Sequence, residues 1–166
     1  MKHPAAILLH NVRSAHNVGA IFRTAEAAGA ERMFLSGYTP TPIDRFGRRR
    51  TDLAKTALSA ETFLSWQYRK DPRKILTVCR SNGWHVVGVE QDPRAIPFKK
   101  FKVKQRTLFV FGNEVRGLSR AMRDKSDTLV EIPMHGRKES LNVSVAAGIV
   151  LFACSGSARG IPRKPA

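Results

Sequence analysis

Short apolar runs alternate with segments of helical periodicity along the chain. AAILLH (Ala5–His10) predicts a strand, and apolar residues then recur at helical spacing from about Asn17 to Ala28, with Gly29 as the stop. RMFLSG predicts a second strand. DPRKILTVCRSNGW predicts a helix entered through Asp71-Pro72 and closed by Asn82-Gly83. HVVGVE and TLFVFG are β-rich, bounded by turn residues, and short enough for buried parallel strands. GLSRAMRDKS predicts a short helix, TLVEIP a strand, and SLNVSVAAGIVLFACSGS a closing helix. YTPTPIDRFGRRRTDLAKTALSAE holds two prolines and little periodicity, and is expected to be a loop-like surface excursion. This alternation predicts an α/β fold: a single domain with a mostly parallel sheet and helices on both faces. The domain is expected over 1–158, with a basic tail over 159–166, frayed or lightly docked.

A chain of 166 residues, 42% hydrophobic, can bury one core and is not globally disordered. No apolar run approaches the roughly 20 residues needed to span a bilayer. The start, MKHPAAILLHNVRS, has only a short apolar run and no small-residue cleavage site, so it reads as a strand rather than a signal peptide. Cys79 and Cys154 lie far apart in apolar surroundings and read as buried thiols of a reducing cytoplasm. The five histidines show no metal-ligand spacing, and no metal is expected.

Charge changes the picture more. Twenty-nine basic and 13 acidic residues give +16, a balance that draws polyanions, above all nucleic acid. Anionic membrane is the competing partner, but no basic amphipathic anchor is evident. The charges cluster at Arg48, Arg49 and Arg50, and again at Lys99, Lys100, Lys102, Lys104 and Arg106. The second cluster reads either as a charged strand edge that blocks aggregation or as a phosphate-tracking surface.

In an open α/β sheet, ligands bind beyond the carboxyl ends of the strands. Two glycine-bearing loops fall there, FGNEVRGLS (Phe111–Ser119) and IPMHGRKESLN (Ile132–Asn142). Gly112 and Gly117 have P-loop spacing, but Leu118 stands where a P-loop needs lysine, so a triphosphate site is improbable. No G-x-G-x-x-G is present for a dinucleotide. Asn113-Glu114 is a polar pair placed where a ligand could sit. Glu114 also admits a plain reading as a partner of Arg116, and Ser140 one as the N-cap of the last helix.

Taken together and in order, NVGAIFRTAEAAGA, FVFGNEVRGLS and IPMHGRKESLNVSVAAGIVLF resemble the three motifs of the SpoU (TrmH-like) RNA 2′-O-ribose methyltransferases of the SPOUT superfamily. The match runs from the first strand to the closing helix. The resemblance implies a C-terminal trefoil knot, a rare exception to unthreaded chains, formed around Gly112–Ser119 and Ile132–Asn142. It implies S-adenosylmethionine as cofactor, with S-adenosylhomocysteine as product, held by Val89, Gly112, Asn113, Glu114, Gly117, Ile132, Met134, Ser140 and Leu141. It also implies a homodimer whose composite site takes the first motif from one subunit. Arg23 and Asn17, an oddly polar pair on an otherwise small and apolar helix, would face that site.

The implied reaction moves a methyl group to a ribose 2′-hydroxyl, a poor nucleophile whose developing alkoxide must be stabilised. Arg23 is assigned that role electrostatically, because a guanidinium keeps its proton in proteins. Asn17 would orient the arginine or the ribose, Ser140 and Asn142 would line the acceptor side, and Glu114 would shape the loop or offset positive charge. No extra RNA-binding domain is expected ahead of the first strand, so the RNA would be recruited by the basic clusters. Transfer RNA is favoured over ribosomal RNA, since minimal members of the family often act on it. The competing readings are a catalytically silent RNA-binding protein and a methyltransferase acting on a base nitrogen.

Overall fold

The computed structural model describes residues 4–154; the tail over 159–166 and the end of the expected domain at 158 lie outside the described residues. Seven strands form one sheet in the order β3-β2-β1-β6-β4-β7-β5, with every pairing parallel. They are β1 (Ala5–His10), β2 (Arg32–Ser36), β3 (Trp66–Arg69), β4 (His85–Val89), β5 (Ile96–Pro97), β6 (Thr107–Phe111) and β7 (Thr128–Glu131). The helices are α1 (Ala15–Ala27), α2 (Thr51–Ala57), α3 (Ala60–Phe63), α4 (Pro72–Ser81), α5 (Arg120–Asp124) and α6 (Val143–Cys154).

The central strands β1 and β6 are apolar except at His10 and Thr107, because both faces of the sheet are covered. Ile7 and Leu9 of β1, with Phe109 and Phe111 of β6, point to one face. There they meet Val18, Ile21 and Phe22 of α1, Leu53 of α2, and Ala147, Val150 and Leu151 of α6. Ala6, Leu8, Leu108 and Val110 point to the other face, against Ile75, Leu76 and Cys79 of α4 and Met122 of α5. The expected helices on both faces are present.

Local signals explain which elements the sequence revealed. Ser14 caps α1, its hydroxyl accepting from Asn17 N at 3.2 Å. Asp71 caps α4 by accepting from Arg73 N at 2.9 Å, with Pro72 in the first turn. The surface excursion is corrected: it contains α2 and α3 and leads into β3. Neither helix has a side-chain cap bond, and the break between them falls on Leu58 and Ser59, both left-handed without being glycine. Strand β3 is a largely exposed edge with no alternation to betray it. The Lys99–Arg106 segment is not a strand edge. A 3-10 turn at Phe98–Lys100 leads into irregular chain that packs Phe101 and Val103 on the core and turns its lysines outward.

Both cysteines are free; Cys79 is buried, whereas Cys154 is only partly so. Burial pushes both thiols up, that of Cys154 to about 11, so neither has the thiolate character of a reactive cysteine. Among the described residues, no helix is long and apolar enough to cross a membrane.

Helix α1 lies directly on α2 through Gly19. A Cβ there would collide with the Leu53 carbonyl and the Thr56 hydroxyl. Propensity alone favours alanine over a mid-helix glycine by about 1 kcal/mol. Overpacking against fixed backbone outweighs it, and Gly19→Ala is expected to destabilise the fold by about 1–3 kcal/mol, read as a lowered urea midpoint.

Candidate active site

The strand order turns back on itself between β1 and β6, since β1 leads outward to β2 and β6 leads the other way to β7. Crevices for ligands open at the carboxyl ends beside such a point. A pocket of about 190 Å³ lies on the β6 side of it, at the ends of β4, β6 and β7. Val89 lines it from β4; Gly112, Asn113, Glu114 and Gly117 from the loop after β6; Ile132, Met134, Ser140 and Leu141 from the segment after β7. All nine residues expected to hold the cofactor therefore meet at one pocket.

Its floor is set by two glycines. Asn113 and Gly117 exchange backbone hydrogen bonds of 3.2 and 2.8 Å, closing the loop on itself. A Cβ on Gly112 would overlap the Gly117 backbone. Gly117 has φ +61°, and a side chain there would strike the Glu90 carboxylate, which also accepts from Leu118 N. Asn113 is nearly buried, and its side chain is fully committed to the fold. Its Oδ1 accepts from Val115 N and Arg116 N, and its Nδ2 donates to the Asn11 carbonyl and the Tyr38 hydroxyl. Its contribution to the pocket is thus the shape of the loop.

Glu114 does not pair with Arg116. Its carboxylate receives Arg13 N and Ser14 N, each at 3.0 Å, and Asn17 Nδ2 at 3.3 Å, at the start of α1. Burial pushes this carboxyl up, but the two backbone donors and the Asn17 amide outweigh it, leaving the group below the ordinary glutamate value. Asn17 Oδ1 in turn accepts from Asn142 Nδ2 at 3.1 Å. Asn142 Oδ1 accepts from Ser144 N at 2.8 Å and Ser144 Oγ at 2.6 Å. The cap of α6 is therefore Asn142, and the reading of Ser140 as the cap is corrected. Ser140 remains exposed at the pocket wall.

Arg23 stands apart. It is exposed on α1, lines no part of this pocket, and has no side-chain partner among the described residues. The arginine triplet is engaged by carboxylates: Arg48 by Asp44 at 2.9 Å, Arg49 by the buried Glu61 at 2.6 Å, Arg50 by Asp52 at 2.6 Å. Arg106 stacks over Trp84 and reaches Glu31, while Lys99, Lys100, Lys102 and Lys104 stay exposed.

Sequence reasoning missed the pocket's charge. Glu90, Glu131 and Glu139 line it with Glu114, so four glutamates and no basic residue surround it in a chain of net charge +16. A legible signal existed: Glu90 and Glu131 stand at the carboxyl ends of buried strands, where a charge has no packing role.

The SpoU rRNA Methylase family profile matches residues 4–152. The chain belongs to that family. It is 34% identical over 165 residues to the 23S rRNA (guanosine-2′-O-)-methyltransferase RlmB of Ralstonia nicotianae, covering 97% of this chain and 62% of that protein. Its fold matches the AdoMet-bound rRNA methyltransferase of Sinorhizobium meliloti with a TM-score of 0.82 and 26% identity, over 90% of this chain and 55% of that one. The A. aeolicus TrmH/SpoU tRNA modifying enzyme gives a TM-score of 0.78 at 25% identity, over 91% and 73%. The chain thus spans about three-fifths of the length of the SpoU relative it matches in R. nicotianae.

Glu114 sets one pH dependence. With its folded-state pKa below the ordinary 4.5, its contribution to stability is full above that value and is lost as pH falls through the folded value. Glu114→Gln is expected to cost about 1–2 kcal/mol at neutral pH. Urea unfolding across a pH series should show the gap between the two proteins narrowing below 4.5.

Proposed function

We propose that the chain is an S-adenosylmethionine-dependent RNA methyltransferase that modifies a ribose 2′-hydroxyl. The observation that carries this reading is the acid-lined pocket, free of lysine and arginine, in a strongly basic protein of the SpoU family. Four glutamates repel an anionic ligand and offer a neutral one hydrogen bonds but no charge attraction. A cofactor with a sulfonium and an ammonium group does. The residues fit that molecule in a second way: Val89, Ile132 and Leu141 offer apolar walls for an adenine ring, and Gly112 keeps the loop backbone tight beneath it. Bound there, the cofactor supplies an electrophilic methyl group.

The chain's own residues do the rest. Glu131 and Glu139, which carry no side-chain ion pair among the described residues, attract the cationic groups. Asn17 and Asn142, joined to each other, hold the acceptor side in a fixed orientation. Arg23 steadies the oxygen that loses its proton and fixes a neighbouring phosphate. Because Arg23 lies away from the pocket of its own chain, it serves the pocket of a second protomer. Support for such a homodimer comes from α6, apolar nearly all round, which leaves Val145 and Phe152 about half exposed. The seam between α6 and α1 runs beside Arg23: a Cβ on Gly148 would sit 3.6 Å from the methyl of Thr24. In this reading the loops around Gly112–Ser119 and Ile132–Asn142 form the threaded knot, and the outward lysines at 99, 100, 102 and 104 track RNA phosphates together with the arginine triplet and Arg106. Transfer RNA is the favoured substrate, and the cytoplasm the favoured setting.

Calorimetry with S-adenosylmethionine tests the pocket, and mapping of 2′-O-methyl groups in RNA from cells with and without the protein tests the product. No binding, or methylation found on a base nitrogen, sinks the reading. Arg23→Ala is expected to lower methyl transfer about 100-fold or more with cofactor affinity retained, as for loss of a donor to a developing oxyanion. If Arg23→Ala and Arg23→Lys both transfer methyl groups at the wild-type rate, the arginine is structural. Mixing refolded Arg23→Ala and Asn142→Ala chains should restore about a quarter of wild-type activity if the site is shared across a two-fold dimer. A site complete within one chain would recover none.

A further inference from the structure

The carboxyl ends of β1, β2 and β6 frame a second cleft, of about 460 Å³, at the point where the strand order turns back. It shares Asn113 and Val115 with the pocket described above, so the two open side by side. Its remaining walls are Arg13, Tyr38 and Arg116. None of these belongs to the basic clusters visible in the sequence.

Several guanidiniums elsewhere rest on carboxylates, as Arg48, Arg50, Arg73 and Arg94 do. Those of Arg13 and Arg116 have no hydrogen bond or ion pair among the described residues, although both residues give their backbone N–H groups to the loop and its carboxylate. Two like charges facing one cleft repel unless an anion joins them. Tyr38 is 57% exposed and Val115 86%, so neither side chain is held there by core packing. Yet the Tyr38 ring is fixed at both ends, its backbone N donating to Asn11 Oδ1 at 3.2 Å and its hydroxyl accepting from Asn113 Nδ2 at 3.1 Å.

We infer that this cleft seats one nucleotide of the RNA, beside the ribose that receives the methyl group. The base lies against Tyr38 and Val115, and its phosphate joins Arg13 and Arg116. Single-stranded RNA is held in this way, by bases stacked on aromatic rings and phosphates met by arginine. An acidic protein segment would use the arginines but not a rigid, exposed ring. The inference rests on the proposed RNA methyltransferase reading and extends it by naming where the substrate strand enters.

The test is fluorescence anisotropy of a labelled, single-stranded oligouridylate with the full chain, over a range of salt. The double variant Arg13→Ala, Arg116→Ala should weaken binding about 10-fold and reduce the slope of log affinity against log salt by about 1. Tyr38→Ala should weaken it about 10-fold with the slope unchanged, whereas Tyr38→Phe, which keeps the ring and loses only the tie to Asn113, should weaken it no more than about 3-fold. Wild-type affinity in the alanine variants overturns the inference, as does a Tyr38→Phe loss equal to that of Tyr38→Ala. Calorimetry with S-adenosylmethionine on the same proteins separates the two levels. Variants that lose RNA but keep cofactor affinity support the cleft, and variants that lose both assign these residues to loop integrity and overturn it. A wild-type chain that binds the oligonucleotide but no cofactor sinks the methyltransferase reading and leaves the RNA contact standing.

Discussion

The carboxylate of Glu114 is the tie on which the site depends. It projects from the loop after β6 and accepts two backbone N–H groups at the start of α1, where the unpaired amides and the helix dipole favour negative charge. Through Asn17 it reaches Asn142, the cap of α6. Three segments remote in sequence thereby meet at the carboxyl end of the sheet. Without this carboxylate the N–H groups of Arg13 and Ser14 would lose their acceptor. The pocket follows from this tie, because the loop is fixed at the moment it turns over Gly112 and Gly117. With Asn113 buried and its amide fully used, the loop has no freedom left to collapse into the space it encloses.

Charge is divided with equal economy. The surface carries the excess of lysine and arginine, while four glutamates gather around one pocket. Two of the four, Glu90 and Glu114, are also structural acceptors, so removing charge from the pocket weakens its frame as well. The partition fits the proposed function, in which long-range attraction would draw RNA to the outside and short-range burial would select a cationic cofactor within.

Much of this was legible in the sequence, for identifiable reasons. Strands β1, β4, β6 and β7 announce themselves as short apolar runs, α1 by its periodicity and glycine stop, and α4 by its Asp-Pro entry and glycine stop. The glycine loops are found because they follow buried strands. Helices α2 and α3 were hidden because they start without side-chain caps and part at left-handed Leu58 and Ser59, positions that no turn residue marks. The cap of α6 was misplaced by two residues, since Ser140 and Asn142 are both good caps and only the fold decides between them. The partner of Glu114 was beyond reach: Arg116 is near in sequence, whereas Arg13 and Ser14 are brought in by the pairing of β1 with β6. Contacts of that kind are created by topology and leave no local trace. The arginine triplet shows the same limit: it reads as one run of charge, and the fold gives each arginine a carboxylate of its own.

Helix geometry bears on how α1 can serve catalysis at both Asn17 and Arg23. Six residues advance about 9 Å along the axis and turn the side chain about 240° around it, so the two point to different sides. Asn17 is taken up by Glu114 and Asn142 of its own chain. A single helix cannot bend to bring Arg23 to the same place, and Gly19, locked against α2, prevents α1 from rolling. If both residues act in one reaction, the second must reach a site that its own chain does not form. In the proposed two-fold dimer one interface would meet that demand, each α1 keeping its first turn tied to Glu114 and Asn142 of its own chain and giving its later turn to the other protomer. In the proposed dimer, the rigidity that fixes Asn17 is the reason that Arg23 would need a partner.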